Sequence, residues 1–358
     1  MRKTLRIGMA AATCVILAAG LAACKDPDRP SAGGSTGPSA PAPASAGASA
    51  EPSADSGLGS PSATASPSAS ASPKKSATTG SGGSGGGAGA GGGGSTGGPR
   101  TTGKPDAGTT GVRPGVQLTV VNGDQTFATD GQVISGKDFH GFVKVTGKNI
   151  RFVNCVFRGR ATSSNNALLD TDRGSGTVVE DSEFVPSNPS ATLDGIYANN
   201  VSIYRANVHG SVDGIKTGSN VLVQDSYIHD MSWFASDPNQ GGGATHNDGV
   251  QGFLGDTNVV LRHNNIDMST THDGNAAFQD SAKNSRVEDN WLDGGGCTLN
   301  FNHVNTPLGG IAVVNNRFGR HSSFKCPILL STQTTLSANS GNVWADTGEP
   351  IPAPQRHD

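Results

Sequence analysis

Apolar and polar residues alternate with a period of two in seven short stretches between residues 150 and 318. The stretches read IRFVNCVF, TVVEDSEF, VSIYRANV, VLVQDSYI, VVLRHNNI, SRVEDNWL and IAVVNNRF. This period predicts β-strands, because successive side chains of a strand point to opposite faces. No amphipathic stretch of helical length separates them, so the pattern predicts an all-β fold.

The seven stretches also share a register. An apolar residue ends each stretch, another lies five positions earlier, and a small or polar residue lies two positions before the end. The end column is Phe157, Phe184, Val208, Ile228, Ile266, Leu292 and Phe318, and the small column is Cys155, Ser182, Ala206, Ser226, Asn264, Asn290, Asn316 and Asn342. Stacked asparagines with a repeat of 20 to 38 residues predict a solenoid of parallel strands. The consensus of a leucine-rich repeat is absent.

With these columns the sequence resembles the right-handed parallel β-helix of the pectate-lyase-like superfamily. The resemblance covers residues 116–345 and implies a single-stranded right-handed parallel β-helix of about eight coils. It also implies a polysaccharide substrate, bound in a groove along one sheet. The NTD, DD, GHG and RIK stretches of the polygalacturonase-like set are missing, as is the WiDH stretch of pectate lyases. No single family within the superfamily is therefore matched.

The N-terminal part predicts export and anchoring. Residues 1–24 combine a basic start with an apolar run too short to span a bilayer, which is typical of a secretory signal. Leu21-Ala22-Ala23-Cys24 resembles a bacterial lipobox, so Cys24 is predicted to be acylated at the extracellular face of the cell membrane; an ordinary cleaved signal is the alternative. Residues 25–115 are rich in Ser, Ala, Gly and Pro and predict a disordered linker, and residues 346–358 a C-terminal tail.

The net charge limits the classes of binding partner, and the cysteines predict one disulfide. The net charge is −3 and no basic block follows the signal, which argues against nucleic acid. We expect a monomer that contacts the membrane only through its lipid. Cys297 and Cys326 open similar stretches one coil apart, so an exported chain is predicted to join them in a disulfide, with two free thiols as the alternative. Cys155, in the small column, is predicted to be a buried, inert thiol, and Cys14 leaves with the signal.

A second column of Asp-Gly pairs marks candidate chemistry. It comprises Asp194, Asp213 and Asp248, in LDGIY, VDGIK and NDGVQ. Turn formation explains such pairs without any chemistry. One coil, from Ile228 to Ile266, is 38 residues long, twelve more than the next two coils. Its extra residues include Trp233, Phe234 and three glycines at 241–243, and predict a loop on the binding face. The two aromatic residues either form a platform for a sugar ring or pack on the flank of the coil.

Two histidines and a lysine accompany the aspartates. His246 and His272 each precede the end of their stretch by 20 residues, which predicts stacking in adjacent coils beside Asp248 and Asp273. Such a group suits proton transfer or metal binding, although a solvated pair is the simpler alternative. Lys216 is predicted to point outward between Tyr197 and Gln251. There it either binds an acidic sugar, acts as a base after desolvation, or is merely solvated.

These residues predict β-elimination in an acidic polysaccharide. The predicted catalytic residues are His246, Asp248, Asp213, Lys216 and His272, and the predicted substrate-binding residues are Trp233, Phe234, Arg262, Asp273 and Gln251. Hydrolysis by paired aspartates is one alternative. The other is a glycan-binding surface lipoprotein without turnover. The sequence establishes no cofactor; calcium is the candidate, because it would suit a uronate substrate, and no metal ligands are identified.

Overall fold

The computed structural model describes residues 100–301 and 307–357; Cys14, Cys24 and most of the predicted linker lie outside them. Within this part the chain forms three sheets whose neighbouring strands are parallel. Each coil contributes one strand to each sheet in turn. The chain is a right-handed parallel β-helix, as its columns predict. No helix among the described residues is long and apolar enough to cross a membrane.

The sheets contain ten, ten and nine strands, so the solenoid is longer than the predicted eight coils. The first sheet comprises Thr119–Asn122, Lys137–His140, Val156–Phe157, Glu183–Phe184, Asn207–His209, Tyr227–His229, Asn265–Met268, Trp291–Gly294, Arg317–Phe318 and Val343–Trp344. The second sheet comprises Gln125–Phe127, Val143–Val145, Asn166–Asp170, Leu193–Ala198, Ile215–Thr217, Asp248–Gly252, Ala276–Gln279, Cys297–Phe301, Cys326–Leu330 and Gln355–Arg356. The third sheet comprises Val133–Ser135, Arg151–Val153, Thr177–Glu180, Val201–Tyr204, Val221–Gln224, Val259–Arg262, Arg286–Glu288, Ile311–Val314 and Leu336–Ser340. The one 3₁₀ turn among the described residues, Pro238–Gln240, lies in the inserted loop.

Each predicted stretch is in fact two short strands, one in the third sheet and one in the first. The chain turns between them at one residue with a left-handed backbone. These corner residues are Asn154, Asp181, Arg205, Asp225, His263, Asp289 and Asn315, with φ between 49° and 58°. The inward residues on the two sides of a corner are three positions apart, as Phe152 and Cys155 are, so the corner shifts the alternation by one position and gives the five-residue spacing of the two apolar columns. Both apolar columns keep their predicted register across the coils.

The predicted small column lies inside the solenoid, where its asparagines form a ladder. The backbone N–H groups of Asn264, Asn290 and Asn316 each donate to the side-chain oxygen of the next asparagine, at 2.8–3.0 Å. Each side-chain amide also donates to a backbone carbonyl, as Asn290 does to Leu261. Buried amide groups are costly unless they are hydrogen-bonded, and the stack satisfies them from coil to coil.

The three cysteines among the described residues lie where the sequence predicts. Cys297 and Cys326 are paired in the second sheet and joined in a disulfide, with 4.7 Å between their Cα atoms. Cys155 is a buried free thiol whose backbone N–H donates to Ser182 Oγ at 3.1 Å. Burial raises the pKa of the Cys155 thiol, which agrees with an inert, structural residue.

Part of the predicted linker packs on the solenoid. We call residues 100–113 the N-terminal clasp. Within it Arg100 and Arg113 both ion-pair with Asp181 at 2.7 Å, and Arg205 of the solenoid binds the same carboxylate at 2.7 Å. Burial alone would raise the pKa of Asp181, but hydrogen bonds from Arg205 and Arg100 lower it below its usual value. The clasp is polar, so hydrophobic periodicity could not reveal it. It lies at the corner between the third and first sheets, which does not border the second sheet.

Candidate functional site

The three Asp-Gly pairs occupy one position of the second sheet in successive coils. Gly195 N–H donates to Asp213 O at 2.9 Å, and Gly214 N–H donates to Asp248 O at 3.0 Å. The side chains continue this ladder: Asp194 Oδ1 accepts the N–H of Asp213 at 3.3 Å, and Asp213 Oδ1 accepts the N–H of Asp248 at 2.7 Å. We call Asp194, Asp213 and Asp248 the acid column. Neighbouring members are one strand spacing apart, about 4.8 Å.

Glycine follows each aspartate because successive coils approach closely there. A Cβ on Gly195 would lie 2.3 Å from Gly214 O, and one on Gly214 would lie 2.5 Å from Gly249 O. Both contacts are too short for any side chain. Asp194 lies within a strand and Asp248 begins one, so their Asp-Gly pairs are not turns. The glycines let the backbones meet and thereby stack the carboxylates.

Lys216 extends between two members of the acid column. Its Nζ lies 2.9 Å from Asp194 Oδ2 and 3.5 Å from Asp213 Oδ2. The strand register places Lys216 between Tyr197 and Gln251, as predicted. Its side chain is only 11% exposed, which excludes the solvated alternative. One buried ammonium group is thus shared by two buried carboxylates.

Burial determines the protonation of the column. It raises the pKa of Asp213 to about 7; the Lys216 charge opposes this shift and the Asp194 charge adds to it. Burial, together with the Asp213 charge, also raises the pKa of Asp248 well above its usual value. The Asn275 amide donates to both oxygens of Asp248, at 3.0 and 3.2 Å. Near neutral pH the column therefore holds protons, while Asp194 remains paired with Lys216.

The twelve-residue insertion folds back over this column. We call residues 233–245 the covering loop. Its two ends are joined by hydrogen bonds between Phe234 and Thr245, at 2.9 and 3.0 Å. The Asn247 amide, which is fully buried, donates to Val212 O at 2.8 Å and Ser232 O at 2.7 Å. Asn247 thus fixes the base of the loop to the coil that carries Asp213.

The tip of the covering loop is held by Asn165, which precedes a strand three positions away in the second sheet. Asp237 caps the 3₁₀ turn by accepting the N–H of Asn239 at 2.8 Å. The side-chain amides of Asn239 and Asn165 then donate to one another, at 2.9 and 3.1 Å. These reciprocal bonds span the face of the second sheet.

Together the loop and the acid column enclose a small pocket. Its polar and charged lining consists of Thr192, Asp194, Asp213, Lys216, Asp237, Asn239, Gln240, His246 and Gln251. The cavity is about 30 Å³, the space of about one water molecule. A sugar can therefore reach the carboxylates only if the covering loop moves.

The structure brings four of the predicted site residues to this pocket: Asp213, Lys216, His246 and Gln251. Asp248 lies in the coil that follows Asp213; it is fully buried and does not line the cavity. Two acids of the pocket were absent from the predicted site. Asp194 carries the same Asp-Gly signal as its neighbours and could have been included. Asp237 lies in the insertion and has no signal beyond the composition of that loop.

The predicted stacking of His246 on His272 is wrong in register. Asp248 pairs with Ala276, an offset of 28 residues, whereas the prediction assumed 26. The turn before Ala276 is two residues longer and carries His272 away from the pocket. The His272 ring meets Trp233 edge to face, with 4.5 Å between ring centroids. Asp273 is exposed in the same turn, with a left-handed φ of 49°.

The remaining predicted binding residues also lie outside the pocket lining. Trp233 and Phe234 are half-buried in the covering loop, where Trp233 packs against His272 on the flank. Arg262 lies on the third sheet and ion-pairs with Glu288. Among the described residues, no group of three or more His, Cys, Asp or Glu side chains is placed to hold a metal ion. Calcium therefore stays a prediction that rests on acid content alone.

Known proteins are similar to the chain only distantly. Neither a family model nor a curated protein sequence matches the chain. A variant of the PL6-family alginate lyase AlyGC is similar over 64% of this chain and 38% of its own, with 11% identity and a TM-score of 0.40. Trypsin-treated QnrB1, a plasmid-mediated fluoroquinolone resistance protein, is similar over 63% of this chain and 92% of its own, with 6% identity and a TM-score of 0.29. The chain thus spans well under half the length of that lyase. Function must therefore be inferred from the residues of the pocket.

Proposed function

We propose that the protein hydrolyses a polysaccharide at the acid column, with Asp213 as general acid and Asp194 as its carboxylate partner. The observation that carries this proposal is the pair of buried carboxylates, one coil apart, on either side of Lys216. Glycoside hydrolysis needs two such groups in different protonation states. Desolvation keeps a proton on Asp213 up to about pH 7, whereas the ammonium group of Lys216 balances the charge of Asp194.

The spacing of the pair supports a retaining reaction. The strand spacing places the two residues about 4.8 Å apart, which is close to the ~5–5.5 Å between the carboxyl groups of retaining enzymes and shorter than the ~6.5–9.5 Å of inverting enzymes. Asp213 would donate its proton to the glycosidic oxygen as the bond to the anomeric carbon breaks. Asp194 would attack that carbon to form a glycosyl ester. Asp213 would then take a proton from the water that hydrolyses the ester, which restores both groups.

The charge of the lining favours a neutral or basic sugar. Asp194, Asp213 and Asp237 face a single lysine, so a uronate carboxylate would meet net negative charge. β-Elimination also needs a base for the C5 proton; Lys216 is already held by two carboxylates, so that role would fall to His246 in the same lining. That reaction would require a bound cation such as calcium to reverse the local charge. A covered pocket likewise suits turnover better than a static glycan-binding surface.

We further propose that the protein is extracellular and lipid-anchored. The lipobox-like Cys24 supports the anchor. The Cys297–Cys326 disulfide supports export, because disulfides are formed in oxidising compartments. The N-terminal clasp leaves the solenoid at a corner that does not border the second sheet. A tether from this position would leave the pocket facing the surrounding polymer.

The test is to incubate the mature chain with neutral, amino-sugar and uronate polymers and to measure new reducing ends and unsaturated products separately. We expect reducing ends without ultraviolet absorbance, and retention of anomeric configuration by NMR. Asp213→Asn should lower kcat by about 10²–10⁴-fold, the usual contribution of a general acid. Asp280→Asn is the matched control, because Asp280 is another buried aspartate, with a pKa raised by burial to about 7, that does not line the pocket. Full activity of Asp213→Asn, or products that are all unsaturated, would exclude this mechanism.

A further inference from the structure

A second depression lies at the corner between the third and first sheets. We call it the corner groove. It is lined by Thr101, Thr102, Gln224, Asp225, Arg262, His263, Asp289, Trp291 and Arg317 and has a volume of about 430 Å³. This volume is within the ~300–1,000 Å³ range of small-molecule sites. It is more than ten times the volume of the covered pocket, with which it shares no lining residue.

The aromatic wall of the groove is held in one orientation. Trp291 and Arg317 are partners in adjacent strands of the first sheet, and the guanidinium group lies 4.7 Å from the centroid of the indole. The His263 ring meets the indole edge on, at 5.3 Å between centroids. His263 is itself held by Asp225, at 2.7 Å between Nδ1 and Oδ1. Trp291, with the Arg317 guanidinium over its ring, is therefore a preorganised wall of the groove, which lowers the entropy cost of binding.

Polar groups surround this surface on both sides. Arg262 and Arg317 supply guanidinium donors, and Asp225 and Asp289 supply carboxylate acceptors, so the charges of the arginines and aspartates balance. Arg262 is fixed by its ion pair with Glu288. A balanced set of donors and acceptors matches hydroxyl groups, which both donate and accept, better than an anion. The N-terminal clasp contributes Thr101 and Thr102 as a further wall.

We propose that the corner groove binds a pyranose unit of a neutral glycan, as a second site separate from the covered pocket. The apolar face of the sugar ring would lie on the indole of Trp291, and its hydroxyl groups would bond to the arginines and aspartates. Because the clasp forms one wall, the site is complete only when residues 100–113 are packed. A polymer held here would stay near the solenoid between cleavage events.

The experiment is isothermal titration of the mature chain carrying Asp213→Asn, which binds without turnover at the other site. The probes are hexasaccharides of neutral glucose, mannose and galactose, with a galacturonate hexamer as the acidic comparison. We expect binding of at least one neutral hexamer and a tenfold or greater loss of affinity in Trp291→Ala and Arg317→Ala. Trp344→Ala is the matched control, since Trp344 makes a similar stack with Arg320, at 4.3 Å, outside the groove.

Thr102→Trp provides a second variant that fills the groove without removing a packed side chain, because Thr102 is exposed. It should also abolish binding while leaving the melting temperature unchanged. The proposal is overturned if no neutral hexamer binds, if only the galacturonate hexamer binds, or if Trp344→Ala weakens binding as much as Trp291→Ala. If the titrated variant binds a neutral hexamer but the wild-type protein hydrolyses none of the polymers, only the proposed function is contradicted.

Discussion

Asp213 has a lysine and two further carboxylates as neighbours, and this environment determines its charge. Lys216 and Asp194 act on it in opposite directions, while burial disfavours its ionised form. The balance raises the pKa of Asp213 to about 7. A carboxyl group in this state can donate a proton near neutral pH, which an ordinary surface aspartate cannot do.

The first prediction concerns the pH dependence of cleavage. Asp213 must be protonated to act as the acid. Above its pKa of about 7, kcat/KM should therefore fall about tenfold per pH unit, and this decrease is the alkaline limb of the pH–rate profile. The measurement is the pH–rate profile of wild type beside Asp280→Asn, in which the limb should remain. A profile that is flat or rises between pH 6 and pH 9 would be incompatible with Asp213 as the acid.

For the individual residues of the site, the sequence reveals the residue types but not their charge states. Asp213, Lys216 and Gln251 could be placed because the strand register follows from the apolar columns. The pattern does not single out Asp194, because its Asp-Gly pair is not accompanied by the insertion, histidine or lysine that mark the coils of Asp213 and Asp248. His272 was misplaced because the length of the turn before its strand cannot be read from a periodic pattern. The protons on the acid column depend on burial, which appears only once the coils are stacked.

The covering loop is the element that controls access to the carboxylates. Its tip is held by two hydrogen bonds between Asn165 and Asn239, and its base by Asn247. Gly241 and Gly242 have left-handed φ values of 63° and 89° and no neighbouring atoms that a side chain would strike. The loop is therefore fixed at both ends but little packed at its glycines, which suits a segment that opens.

The second prediction is that releasing the tip favours the open loop. Each hydrogen bond contributes about 1 kcal/mol, so Asn239→Ala should raise the population of the open state by about 5- to 30-fold. If only the open state binds polymer, KM should fall by a similar factor while kcat changes little. Steady-state kinetics on the polymer cleaved by wild type provide the measurement.

The control for this variant is Ser337→Ala, which removes a side-chain hydrogen bond to Ile311 O on the third sheet, away from the loop. Asn165→Ala should reproduce the effect, and the double variant should add little, because both single changes break the same contact. An unchanged or increased KM in both single variants would show that the loop does not gate the pocket.

The length of the insertion was predictable at the scale of elements, but its path was not. A coil with twelve extra residues must expel them on one face, and the repeat identifies that coil. Whether the loop lies open or folds over the acid column depends on contacts such as that of Asn239 with Asn165, 74 residues apart. No local pattern encodes this pairing. The corners show in the sequence only as the odd, five-residue spacing between the two apolar columns of each stretch.

Over the whole molecule, the fold follows from columns of residues that repeat in every coil. The two apolar columns and the asparagine ladder were visible because each coil presents the same side chains to its neighbours. The N-terminal clasp and the last strand, Gln355–Arg356, lie outside the repeat and were missed. They pack through ion pairs and backbone hydrogen bonds, which hydrophobic periodicity does not register.

Buried carboxyl groups make the stability of the whole solenoid depend on pH. Burial raises the pKa of Asp280 to about 7, whereas the pKa of an unfolded aspartate is about 3.9. The folded state therefore binds more protons than the unfolded state between these values, so stability decreases as pH rises through this window. Asp181 affects stability in the opposite direction. Hydrogen bonds from Arg205 and Arg100 lower its pKa, so its contribution to stability is lost only as pH falls below the unfolded pKa.

The third prediction is that the free energy of unfolding is greater at pH 5 than at pH 8. At 1.36 kcal/mol per pKa unit, Asp280 alone should account for a decrease of about 4 kcal/mol over its full titration, of which roughly 2–3 kcal/mol falls between pH 5 and pH 8. Asp280→Asn should remove that share and flatten the pH dependence, as urea unfolding at the two pH values can measure. Asp273→Asn, a change at an exposed turn, should keep the wild-type slope. If the free energy of unfolding of Asp280→Asn decreases as much as that of wild type between pH 5 and pH 8, protonation of Asp280 does not contribute to the pH dependence of stability.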